Sequence, residues 1–268
     1  MSRLTWLCIS LLLIGLGLVG ACQVLPAIDQ TPKVKLWQAR AALTADKPTE
    51  ARIAILDGIY AGHSADLALA YENLYRQKPS QTRLGVYLHA AVLANTRGTQ
   101  REEILHHEST AAIAKRAMEA AKPYLPPSDL ATSRGDQNKK KITEANIWLA
   151  WGEYLSGNRQ DISNAREAFQ KALALDQNLA EAWFGLADLI QSYQDIPSVK
   201  ARAAETVKNL DKAEALEPKI HVLTLPARAY VTGYRGDPKQ AMNYMREYLR
   251  LWPDAPNAAT IQRGLQEH

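Results

Sequence analysis

Beyond its first two dozen positions, the chain spaces its apolar residues with a helical period and separates the periodic stretches with turn residues. Trp148, Trp151, Gly152 and Leu155 stand at i, i+3, i+4 and i+7, and Ala165, Phe169 and Ala172 at i, i+4 and i+7. Both spacings line one face of an α-helix. Gly157-Asn158 lies between them as a turn, and Gly62-His63-Ser64 and Gly236-Asp237-Pro238 interrupt other periodic stretches in the same way. The pattern predicts five helical hairpins, with an extra N-terminal helix over Leu36 to Ala45, a helix over Arg83 to Asn95, and a terminal cap helix over Ala258 to Gln266. Two Phe against eleven Tyr and six Trp, with abundant Ala, favours closely packed helices over a β-sandwich.

The passage Asn146 to Asn178 resembles a tetratricopeptide repeat. Its first helix carries a W-x2-W-G-x2-L version of the family's W-x2-L-G-x2-Y, and its second carries A-x3-F-x2-A. Small residues at Gly152, Ala165 and Ala172 let two helices approach while Trp148 and Phe169 fill the groove. A second copy follows 35 residues on, with Trp183, Leu186, Ala187 and Ile190, then Leu210, Ala213 and Pro218; it carries an insertion around 191 to 200. A third has Ala229, then Ala241, Met245, Tyr248 and Pro253. Looser matches end at Tyr71, Leu74 and Pro79, and at Ala114, Met118, Ala121 and Pro126, the latter with a long insertion over 97 to 109. The resemblance implies an all-α fold, a right-handed superhelix of helical hairpins forming a solenoid. It would comprise degenerate hairpins over 36 to 127, a Pro- and Lys-rich loop or linker over 128 to 143, and clearer repeats with their cap over 144 to 268.

The first 21 residues have a different character: Arg3, an uncharged apolar run from Leu4 to Val19, then small residues. That is the anatomy of a secretory signal peptide. Val19-Gly20-Ala21-Cys22 resembles a bacterial lipobox, which implies cleavage before Cys22 and acylation of its thiol. Gln23 rather than Asp follows, so the same resemblance implies the outer membrane, with the domain on the periplasmic face. Residues 22 to 35 then read as a tether. Cys8 and Cys22 are the only cysteines. The mature domain is therefore expected to have no disulfide, no thiol chemistry and no cysteine-bound zinc.

Charge and motifs exclude more than they nominate. A formal net charge of +4 is too small for a nucleic-acid surface. His106, His107 and Glu108 lack metal-ligand spacing and read as a solvated loop; His63 and His221 read as structural; Arg134-Gly135-Asp136 and the Lys139 to Lys141 run read as solvated turns. GxSxG, SxxK and a Gly-rich phosphate loop are missing from the mature sequence. The expectation is a protein that is not an enzyme and holds no metal or cofactor.

Repeat geometry, again by resemblance, sends Asn146, Leu149, Glu153, Glu181, Phe184, Asp188 and Gln191 toward the concave groove. The mixture is acidic around one aromatic, which disfavours a carboxylate clamp and suits a segment with basic character. The functional expectation is thus a membrane-anchored scaffold or adaptor lipoprotein, held through lipidated Cys22, that binds a protein or peptide partner. The alternative is a lipoprotein like the T-component of tripartite ATP-independent periplasmic transporters, binding or channelling a small molecule. Periodicity places Trp148 and Trp183 in the core and points Phe184 elsewhere.

Overall fold

A computed structural model of the protein describes residues 32–98, 109–125, 140–157, 161–190 and 198–267. Among the described residues there are twelve α-helices and no strand. They are α1 Pro32–Thr44, α2 Pro48–Tyr60, α3 Ser64–Gln77, α4 Gln81–Arg97, α5 Thr110–Ala121, α6 Ala145–Gly157, α7 Ile162–Leu175, α8 Ala180–Leu189, α9 Val199–Leu216, α10 His221–Tyr234, α11 Pro238–Leu251 and α12 Ala258–Gln266. A 3-10 turn over Pro218–Ile220 joins α9 to α10. The all-α class expected from the periodicity is the class observed. Cys22, Gln191, His106 to Glu108, Arg134 to Asp136 and most of the 128 to 143 stretch lie outside the described residues.

Local chemistry sets the helix ends. Side chains of Ser80, Ser109, Asp161, Ser198 and Asp237 accept from backbone N–H groups three positions on, capping α4, α5, α7, α9 and α11. Two of the predicted turns hold glycine in the left-handed region, Gly62 at φ 69° and Gly236 at φ 87°, where a side chain would be strained. The cap helix has the predicted bounds, whereas α1 begins at Pro32 and α4 extends to Arg97.

Hairpins α4/α5, α6/α7, α8/α9 and α10/α11 pack internally, and α4 also lies along α6. Helix α4 is the hub, buried without a break from Leu84 to Ala94 because α2, α3, α5 and α6 surround it. Helix α1 packs on α3 and α2. A cluster of charged and hydroxyl groups ties α9 to α10: Arg228 reaches Asp211 at 2.7 Å and Glu214 at 2.9 Å, and Thr224 and His221 also bond to Glu214.

The stack curls until its ends meet. Lys219 in the 3-10 turn pairs with Asp57 of α2 at 2.7 Å, and the Tyr60 hydroxyl donates to the Lys219 carbonyl at 2.8 Å. Tyr60 also sets its ring edge against Trp252 at 5.5 Å. Helix α2 therefore crosses the inner face of the solenoid instead of simply opening it.

Two tryptophans are placed differently from expectation. Trp148 and Trp183 are only half-buried. Lys171 lies 4.5 Å over the Trp148 ring, while Trp183 lines an outer cleft between α7 and α9 and donates to the Gln177 carbonyl at 3.1 Å. Because α6 and α8 are covered from several sides, Trp151 and Phe184 take core positions.

The tightest packing surrounds Phe169 of α7, which is fully buried. A Cβ on Gly152 would lie 2.7 Å from its ring, and one on Gly185 2.4 Å, so the ring is clamped between glycines of α6 and α8 and has no room to shift. Gly185→Ala is expected to cost about 1–3 kcal/mol despite alanine's better helix propensity. Urea unfolding of the protein measures this, and adding Phe169→Leu should recover most of the loss by making room for the methyl group.

Candidate functional site

The inner faces of α6 and α8 repeat every seven residues. Asn146 and Glu153 lie on one face of α6, Glu181 and Asp188 on one face of α8, each pair two turns apart or roughly 10 Å. The four form two rungs across the concave side. Neither helix contains a basic residue, so the counter-charge must come from elsewhere.

Arg52 of α2 serves the first rung. It is buried, donates to Asn146 Oδ1 at 3.3 Å, and pairs with Glu181 and Asp176, both at 3.6 Å. Arg97, at the last turn of α4, serves the second. Its guanidinium lies 3.7 Å from Glu153 and 4.9 Å over the Phe184 ring. Burial pushes the Glu153 carboxyl up to about 6 against the pull of Arg97, and burial raises Glu181 against the pull of Arg52. His89 of α4 is fully buried with no hydrogen bond to either ring nitrogen; burial, aided by Arg52, keeps it neutral down to about 3.

Five of the expected groove residues, Asn146, Leu149, Glu153, Glu181 and Phe184, are thus buried inside the molecule and not displayed in an open groove. Arg52 of α2 covers Asn146 and Glu181, and Arg97 of α4 covers Glu153 and Phe184. Asp188 is exposed, and among the described residues it makes no hydrogen bond or ion pair. Sequence reasoning found the acidic positions and missed Arg52 and Arg97. The available signal was charge imbalance, three acids and no base across two largely buried helices.

Asp188 stands between two cavities that α8 and α10 leave open. The first, about 310 Å³, is walled by Arg97, Phe184, Leu223, Tyr248 and Trp252. The second, about 530 Å³, is walled by Ile162, Leu189, Thr206, Tyr230 and Val231. Asp188, Pro226 and Ala227 line both, so the two form one trough with a single carboxylate near its middle. Pro226 lacks an N–H, which leaves the Val222 carbonyl without its usual helical donor beside the trough. The buried indole N–H of Trp252 and Nε of Arg97 have no hydrogen-bond partner at the first cavity. Walls of mixed polar and apolar character, with Phe184, Tyr248 and Trp252 in the first cavity and Tyr230 in the second, beside the exposed Asp188 carboxylate, can hold a segment that bears a cation among polar and apolar groups.

His63 and His221 have structural places: His63 stacks on Trp37 at 5.7 Å and bonds Asp66 at 2.8 Å, while His221 sits between Glu214 and Glu247. Lys140 lies 5.6 Å over the Tyr124 ring. Among the described residues, no group of three His, Cys, Asp or Glu side chains is arranged to hold a metal ion. Nor is any helix among them long and apolar enough to cross a membrane.

No family model matches the chain, and no curated protein matches it. Among solved structures, the crystal structure of the APC/C hetero-tetramer Cut9-Hcn1 aligns over 78% of this chain at 15% identity with a TM-score of 0.37. The chain spans 39% of the chain it matches there.

The buried carboxyl supplies a pH test. Because the folded-state pKa of Glu153 lies above its ordinary 4.5, the folded protein holds this proton more tightly than the unfolded chain. The resulting stability is present below pH 4.5 and is lost as pH rises to about 6, a change of about 2 kcal/mol. Glu153→Gln should match the parent near pH 4.5 and exceed it by about that amount above pH 6. Denaturant unfolding of both proteins across this range measures the difference, from which the His89 contribution cancels.

Proposed function

We propose that the protein is a lipid-anchored interaction scaffold, held by acylated Cys22 at the periplasmic face of a bacterial outer membrane, that takes a segment of a protein partner into the trough between α8 and α10. The anchor rests on the signal-peptide pattern and the Gly20-Ala21-Cys22 sequence. The trough carries the binding half of the proposal, through one observation: Asp188 is exposed between two cavities of mixed polar and apolar lining while the neighbouring inner-face acids Glu153 and Glu181 are answered by Arg97 and Arg52. A desolvated carboxylate opposite a partner's Lys or Arg contributes specificity as well as affinity, and the aromatic walls supply apolar area. The occupant is accordingly an extended stretch with one basic residue between polar and apolar ones. No catalytic step is assigned.

Cavities of this size also suit a small ligand, which supports the transporter-component alternative. One experiment separates the two. A photo-crosslinking residue at position 188 in the native cell should give one dominant protein adduct. Asp188→Lys, in pull-downs of the lipidated protein, should reduce recovery of that partner by at least about tenfold, the scale of a lost buried charge pair. An absence of protein adducts, with a small molecule retained in native mass spectrometry, would replace the scaffold reading with the ligand one.

A further inference from the structure

Helix α1 presents an apolar stripe that is exposed among the described residues. Its inward side buries Trp37, Ala41, Thr44 and Ala45 against the domain. Its outward side exposes Leu36 at 63% and Leu43 at 74%, the two most exposed large hydrophobic side chains among the described residues, with exposed Ala39 between them. At 100° per residue these three fall within an arc of about 60°, so they form one line along the helix. The sequence of α1, PKVKLWQARAALT, contains Lys33, Lys35 and Arg40 and no acid. Lys35 is exposed beside the stripe, whereas Arg40 is engaged by Asp57 and by the Trp37 ring.

We infer that α1 is an interfacial helix that rests on the phospholipid surface and fixes the orientation of the solenoid there. This rests on the reading of Cys22 as the anchor. Two independent observations select a lipid surface as the occupant. The first is position: α1 begins ten residues after Cys22, a reach of at most ~35 Å, so this helix is held next to the bilayer. The second is charge. A two-fold copy of α1 would set bases against bases with no acid on the helix to answer them, whereas a partly anionic phospholipid surface answers the exposed Lys35. A basic helix with an outward leucine stripe meets the chemistry of such a surface: leucines below the headgroups, lysine ammoniums among the phosphates. The acyl chains make attachment permanent; α1 determines which side of the domain faces the lipid and so where the trough opens.

The test uses the mature chain, residues 22 to 268, whose one cysteine is Cys22. That thiol is coupled to a maleimide lipid in vesicles of phosphatidylethanolamine and phosphatidylglycerol at about three to one, and side chains are footprinted with a carbene reagent. Relative to the same chain capped with N-ethylmaleimide in solution, labelling of the 36 to 44 peptide should fall at least about threefold, while α8 and α10 peptides stay unchanged. Leu36→Glu combined with Leu43→Glu, both at exposed positions, should keep the solution circular dichroism spectrum and abolish that protection. Equal labelling of α1 on and off vesicles would overturn the inference. So would protection that appears without vesicles and grows with protein concentration, which would assign the stripe to a second copy. The tether is chemical, so either result speaks to α1 alone. Lipidation in the cell is read separately from the mass of the native N-terminal peptide, and the trough from the adduct at position 188.

Discussion

Arg52 is the constraint around which the inner face is organised. Burying Glu181 and Asn146 in a solenoid core removes them from water, and a buried carboxylate without a counter-charge is strongly unfavourable. One guanidinium, with its several donors, answers Asn146, Glu181 and Asp176 together. For that to happen α2 must lie across the concave side, and once it does, Asp57 and Tyr60 come within reach of Lys219 and Trp252 at the far end of the chain. Closure of the ring and burial of the first rung are thus one event.

The limits of that neutralisation define the site. Arg97 repeats the role of Arg52 one rung along, but it stands on the last turn of α4 and answers Glu153 alone, with its charge stacked on Phe184. Asp188 is left beyond it. Where α8 and α10 diverge, the space that α2 fills in front of the first rung stays open, and the cavities form around the one inner-face acid without a partner. The same packing that takes most of the acidic inner face away from a partner leaves Asp188 as the one carboxylate lining the trough. A broad acidic groove would attract many basic segments; a lone exposed carboxylate between two cavities discriminates by position.

Helix packing elsewhere follows from side-chain size. Phe169 fits because Gly152 and Gly185 bring α6 and α8 to its two faces, and α4 is buried along eleven successive residues because alanine, valine and leucine at its surface admit four neighbours. These small-and-large alternations are what made the hairpins legible as a repeating pattern. Trp148 and Trp183 show the limit of that legibility. They are periodic, aromatic and equivalent, yet both are only half-buried, Trp148 under Lys171 and Trp183 at an outer cleft, because periodicity gives the relation between residues on a helix and not the helix's rotation against its neighbours.

The sequence by itself determined the all-helical class, the turns at Gly62 and Gly236, the cap helix, the seven-residue spacing of Asn146 and Glu153 on α6 and of Glu181 and Asp188 on α8, and the lack of any cysteine after position 22. Each depends on residues near one another in the chain, through hydrogen bonds, dihedral preferences and face periodicity that span a few turns at most. Only the tertiary structure decided that Arg52 answers Glu181, that Asp57 meets Lys219 across 162 residues, that five expected groove residues are buried, and that Asp188 is left exposed. Those outcomes depend on curvature, the sum of small rotations between successive hairpins. No local window contains that sum, and it alone sets which distant charges come within a few ångströms of each other.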